Sequence, residues 1–213
     1  MTVRALTFDV VGTLIDFETG LLDAARPSSS HDFLAAFGDA EGEQQRLTPE
    51  MPFPAMLDPI SERLGLASSL RSSVVDWPAF DDAPAALAEL GRRYRLVALT
   101  NADRAATAAM SSTLGDPFDD VVTAEDVGVN KPDQQMFVWC LGRLSAHGIG
   151  RDEVLHVAQS QFHDIATATR LGIATCWVER RRGRSGSGAT PPSSITEPDL
   201  HVGTLAELAA ALR

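Results

Sequence analysis

Residues 3–16 read VRALTFDVVGTLID. The β-rich run from Val3 to Phe8 predicts a strand, and the Gly12-Thr13 pair that follows predicts a turn. Asp9 therefore sits where the strand ends, with Val10, Val11, Gly12 and Thr13 just beyond it. RLVALT (95–100), VLHVA (154–158) and ATCWV (174–178) repeat the strand pattern, and VVT (121–123) and LHV (200–202) are shorter candidates. Helix-like stretches separate them. Asp81 or Asp82 is placed to cap a helix through AALAELGRR (85–93), with Pro84 in its first turn. Thr204 and Glu207 have the spacing of a capping box opening the last helix. Strands alternating with helices predict an α/β fold, a parallel sheet with helices on both faces.

The alternation lapses between residues 17 and 80, a polar stretch punctuated by Ser and Pro. PSSS (27–30) and TPEMPFP (48–54) read as loops, and SERLGLASSLRSSV (61–74) reads as helix. The expected organisation is a core domain of residues 1–16 and 81–213, with 17–80 inserted after the first strand as a small helical cap over that strand's carboxyl end.

Composition narrows the function classes. The 213 residues are 44% hydrophobic and 22% charged, the profile of a globular chain. No apolar run reaches the roughly 20 residues of a membrane span, and the start is strand-like and not a signal peptide, so a cytoplasmic protein without membrane contact is expected. A net charge of −11 argues against nucleic-acid binding. The run RRRGR (180–184) is expected to be a solvated loop. Cys140 and Cys176 lie in apolar stretches without zinc-like spacing and read as buried thiols.

In open parallel sheets ligands bind beyond the carboxyl ends of the strands. Those ends are polar here. Asp9, Val11 and Thr13 follow the first strand, Thr100 and Asn101 the next, and Gln159, Ser160, Gln161, His163 and Asp164 follow VLHVA, while Lys131 arrives from the loop GVNKPD. Each residue alone has a structural reading as cap, turn or exposed lysine. Their convergence on one sheet edge reads as a site.

FDVVGTLID (8–16), LTNAD (99–103), NKPD (130–133) and HVAQSQFHD (156–164) resemble, in order and spacing, the four motifs of the haloacid dehalogenase superfamily, whose core is a Rossmann-like sheet. Within it the chain is most similar to the type II 2-haloacid dehalogenases. The resemblance implies that Asp9 is a nucleophile forming an ester that water then hydrolyses. It implies that Thr100 and Asn101 bond substrate or leaving group, that Lys131 keeps Asp9 ionised, and that Asp164 orients Lys131 and positions the water. The branch also receives its substrate carboxylate or halide with a cap arginine. Arg46 is the candidate here, and Arg26 the runner-up. His163 is a candidate additional base, and Phe17, Phe53, Trp77 and Phe80 are candidates for an apolar wall or for ordinary core, the core reading being favoured for Trp77 and Phe80.

Phosphatases of the superfamily carry a second Asp two residues after the nucleophile and an acidic residue opening the fourth motif, where it helps hold Mg²⁺. Val11 and Gln159 occupy those positions. A valine cannot protonate a leaving oxygen, and an amide is a poor ligand for a hard cation. The expectation is thus a hydrolase without a cofactor, acting on a small anionic 2-substituted carboxylic acid, with a homodimer as the candidate assembly. A phosphatase with an altered Mg²⁺ site and a non-catalytic binding protein are the alternatives. The branch differs at Val11 and Phe137, where it has Tyr, and at Gln159 and Gln161, where it has Ser and Asn.

Overall fold

The computed structural model describes residues 2–213. Six parallel strands, β1 (Ala5–Phe8), β2 (Arg95–Thr100), β3 (Asp120–Thr123), β4 (Val154–Ala158), β5 (Ala174–Val178) and β6 (Leu200–Val202), form one sheet in the order β3-β2-β1-β4-β5-β6. The chain thus builds outward from β1 in one direction and then returns to build in the other, so β1 lies between β2 and β4 at the reversal of strand order.

Helices α1 (Phe17–Ala25), α2 (Ser30–Leu47) and α3 (Phe53–Arg63) and a 3-10 turn (Leu70–Asp76) fill the stretch between β1 and α4 (Ala83–Leu90). Beyond it come α5 (Arg104–Thr113), α6 (Ala124–Val127), α7 (Gln134–Ser145), α8 (Ala166–Arg170) and α9 (Leu205–Ala211). Alternate residues of each strand point to opposite faces. Leu6, Phe8, Leu96 and Val157 pack with Leu87 of α4, Met110 of α5 and Leu208 of α9, while Ala5, Val97 and Leu99 pack with Phe137 and Cys140 of α7 and Ala168 of α8.

The two ends of the helical stretch meet. Asp16 N–H donates to the Pro78 carbonyl at 2.8 Å and Phe80 N–H to the Leu14 carbonyl at 2.9 Å. The first apolar cluster runs without a break from Phe8 and Val10 into Phe17, Phe37, Phe53 and Trp77, so these helices share a core with the sheet. Trp77 stands at its centre, with ring centroids 6.2 Å from Phe17 and 5.9 Å from Phe53.

Several local expectations are corrected. Helix α2 crosses a stretch whose polar composition hid it, opened by Ser29, whose side chain accepts from Asp32 N–H. The helix expected over 61–74 divides, because Gly65 turns the chain at φ +68 and only a 3-10 turn follows. Asp82 stands at the N-cap of α4 but makes no side-chain cap bond; its carboxylate accepts from Arg180 Nη1 at 2.8 Å and from Leu205 N–H at 2.6 Å. Nor is RRRGR simply solvated. Arg180 is held there by Asp82 and donates Nε–H to the Thr13 carbonyl, while Arg181 pairs with Glu18 of α1, because the chain after β5 folds back over α1 and α2.

Candidate active site

β1 ends inside the molecule on Asp9, whose side chain is largely buried. Gly12 then adopts φ +88, and a Cβ there would lie 3.1 Å from the Phe17 ring, so the turn requires glycine. The turn brings Thr13 back beneath the carboxylate. Its hydroxyl donates to Asp9 Oδ2 at 2.5 Å and accepts from Gln159 N–H at 2.8 Å, tying the end of β1 to the end of β4.

Lys131 reaches the other carboxylate oxygen. Its Nζ donates to Asp9 Oδ1 at 2.9 Å, to Asp164 Oδ1 at 2.7 Å and to the Leu99 carbonyl at 2.8 Å. An ammonium has three N–H groups, so all are committed. Asp164 is in turn oriented by His156, whose Nε2 lies 3.0 Å away and whose Nδ1 faces the Thr7 hydroxyl at 2.8 Å. The Phe137 ring meets His156 edge-on at 5.1 Å, so a residue that differs from the dehalogenase branch packs behind this chain of bonds and not in the cavity.

Burial opposes charge on Lys131, but Asp164 and Asp9 outweigh it and raise the ammonium above the ordinary lysine range. Burial would likewise raise Asp164, yet Lys131 and His156 hold it at about 2. Asp9 is raised above the usual carboxylate value, because burial and the Asp164 charge exceed the relief from Lys131 and Thr13. One ammonium thus serves two buried carboxylates.

A cavity of about 40 Å³ opens on Asp9, with room on the order of three water molecules. Val11, Thr100, Asn101, Lys131, Gln159, Ser160 and His163 line it, together with Phe17 and Phe53. Thr13 and Asp164 stand behind the lining, joined through Asp9 and Lys131. Gln161 turns away to accept from Thr196 N–H. Arg46 is exposed and outside the cavity, because the buried face of α2 carries Leu34, Phe37, Gly38, Glu41, Gln44 and Gln45.

Asn101 lines the cavity and also braces the lysine loop. Its amide donates to the Lys131 carbonyl at 3.0 Å and accepts from Lys131 N–H at 2.7 Å, fixing the backbone that carries the lysine. His163 is also engaged at both nitrogens. Gln45 Nε2 donates to the Lys131 carbonyl, so Gln45 Oε1 is left to accept from His163 Nε2–H at 2.8 Å, and Nδ1 accepts from the Ser160 hydroxyl at 3.1 Å. With burial pushing its imidazole down to about 4, His163 is a neutral structural donor with no nitrogen free to activate water.

Two polar residues of the cavity escaped the sequence reading. Thr190 comes from the chain after β5 and donates to Gln159 Oε1 at 3.3 Å. Glu41, only 7% exposed, enters from α2, and burial together with the Asp9 charge pushes its carboxyl up to about 8. Its signal was a carboxylate in the i, i+3, i+4, i+7 stripe of a helix that the polar composition concealed.

For the Mg²⁺ that the phosphatase alternative requires, Asp164 Oδ2 is a buried carboxylate oxygen without a partner, but Lys131 and Thr13 already bond both Asp9 oxygens, Lys131 and His156 bond Asp164 Oδ1, and Gln159 contributes an amide, a poor donor set for a hard cation. Among the described residues no three His, Cys, Asp or Glu side chains cluster as a metal site.

A doubly wound parallel sheet carrying these groups at its reversal point defines a Rossmann-like α/β protein with its site at the strand ends. Residues 3–172 match the family model described as haloacid dehalogenase-like hydrolase, and the chain belongs to that family. It is 31% identical to the phosphoserine phosphatase of Thermus thermophilus over 62% of this chain, spanning 50% of that protein. It is 25% identical to (S)-2-haloacid dehalogenase 4A of Burkholderia cepacia over 97% of this chain and 94% of that one. Its fold is that of the L-2-haloacid dehalogenase from Xanthobacter autotrophicus with chloropropionic acid covalently bound, at TM-score 0.78 and 19% identity, covering 100% of this chain and 99% of that one.

Proposed function

We propose that this hydrolase attacks carbon, as a metal-independent 2-haloacid dehalogenase-like enzyme that displaces a leaving group next to a carboxyl-type carbonyl through an Asp9 ester. The observation that carries this reading is Asp9 itself, held by Lys131 and Thr13 against a cavity whose neighbouring positions are Val11 and Gln159. Phosphoryl transfer brings a dianion to the nucleophile and needs cations to offset it, whereas the single nearby ammonium is already shared by two carboxylates. A halide departs as a stable anion and needs no acid at position 11.

In the first step an Asp9 oxygen bonds to the substrate's second carbon, and the halide leaves with the electron pair of the broken bond. Water then adds to Asp9 Cγ, the ester bond breaks, and a 2-hydroxy product, a proton and the free carboxylate result. Lys131 and Thr13 fix the direction of the attacking carboxylate, and Phe17 and Phe53 form the apolar walls that keep bulk water out.

The likeness to named dehalogenases supports this reading, while the phosphatase relative supplies the alternative. The test is halide release and an Asp9-linked mass adduct from a panel of 2-halo compounds in EDTA, both abolished in Asp9→Ala. Mg²⁺-stimulated phosphate release from a phosphomonoester, removed by the same substitution, would overturn it.

A further inference from the structure

We propose that Glu41 selects the substrate at this cavity, and that the preferred molecule carries an uncharged amide or similar carbonyl in place of a free carboxylate. The proposal rests on the reading of Asp9 as a nucleophile at carbon and names the substrate class for it.

The first observation is a shortage of cations. The three N–H groups of Lys131 are directed at Asp9, Asp164 and Leu99, and no arginine lines the cavity. Arg46, the cap residue with the right charge, is exposed. A substrate carboxylate would enter beside Asp9 and Glu41 with no positive group free to receive it, in a space too small to bring its hydration shell.

The second observation is Glu41. Helix α2 aims it into the cavity nearly out of contact with solvent, and its carboxyl responds only to burial and to the Asp9 charge, without a hydrogen-bonding or cationic neighbour to hold it ionised. Such a group keeps its proton at neutral pH and acts as a donor. A carbonyl oxygen is the natural acceptor. That hydrogen bond draws electron density from the carbonyl and so from the carbon beside it, where Asp9 attacks. A cavity of about 40 Å³ restricts the molecule to a few heavy atoms. Packing alone gives no reason for an acid here, since an apolar side chain on the same stripe would fill the space without the cost of an unpaired polar group.

The test uses the whole protein with propionamide and propionate, unreactive mimics of the two substrate classes, in wild type, Glu41→Gln and Glu41→Met. Binding is read by calorimetry, and circular dichroism checks the fold of each variant. Wild type should bind propionamide about tenfold more tightly than propionate, Glu41→Met should lose about that factor for the amide, and Glu41→Gln, which retains an N–H donor, should lose less than about threefold. Propionate bound as tightly as propionamide by wild type, an unchanged ratio in Glu41→Met, or no binding of either mimic overturns the proposal.

Incubation with 2-chloropropionamide and 2-chloropropionate separates this inference from the reading beneath it. An Asp9 ester from the acid but not the amide overturns the role of Glu41 and upholds the nucleophile. Selective propionamide binding with no ester from either chloro compound overturns the nucleophile and upholds the selection. Cys140 and Cys176 do not confuse the adduct mapping, because burial pushes both thiols up to about 12.

Discussion

Lys131 Nζ lies 2.7 Å from Asp164 Oδ1, closer than its 2.9 Å contact with Asp9. The residue expected to help position water thus also holds the lysine, and it stands behind the cavity lining. Its effect on chemistry passes through Lys131.

Asp164→Asn should leave a buried ammonium with one carboxylate and a misdirected His156. We expect a loss of about 3 kcal/mol in stability by urea denaturation. Activity should fall about a hundredfold or more through kcat, with KM little changed, because Asp164 does not line the cavity.

The kcat/KM profile should be bell-shaped. Asp9 must be ionised to attack, and its carboxyl is raised by burial, so the acid limb should lie above the ordinary carboxylate range. Glu41 must hold its proton to donate, and burial places its titration at about 8, so activity should fall as pH rises through that value. Glu41→Gln should remove the alkaline limb and leave the acid limb in place.

His163 contributes a pH-dependent stability term of definite sign. Its imidazole titrates at about 4 in the folded protein against 6.5 as the ordinary value, so between these values the unfolded chain binds the extra proton. Stability from this group is therefore present above pH 6.5 and lost as pH falls toward 4. In His163→Gln that component of the acid-induced drop in Tm should disappear, and because His163 is not the base, kcat should change by less than about tenfold.

A Cβ on Gly38 would lie 3.0 Å from the Thr190 carbonyl oxygen and 3.3 Å from the Ala189 carbonyl carbon. Gly38→Val should cost about 1–3 kcal/mol in thermal unfolding, as overpacking against backbone does. An unchanged Tm would mean that the chain after β5 does not press on α2 in solution.

The strands at 95–100, 154–158 and 174–178 were legible residue for residue, because parallel strands buried on both faces leave continuous apolar runs. Asp9, Lys131 and Asp164 were legible because a sheet edge brings strand ends together whatever the connecting chain does. Glu41 and Gln45 were hidden by the polarity of α2, whose buried face is apolar at Leu34, Phe37 and Ala40 but turns polar at Glu41, Gln44 and Gln45 where it meets the site. Asn101 and His163 were visible as site residues, but their bonding to Lys131 and Gln45 depends on distances no spacing in the chain encodes. Thr190 lies some sixty residues beyond the lysine motif, in a segment whose Ser and Pro content reads only as loop.

Gln45 joins α2 to the chemistry at two points, the Lys131 carbonyl and the His163 ring. Any hinge motion that lifts this helix breaks both bonds at once and loosens the loop on which the lysine stands.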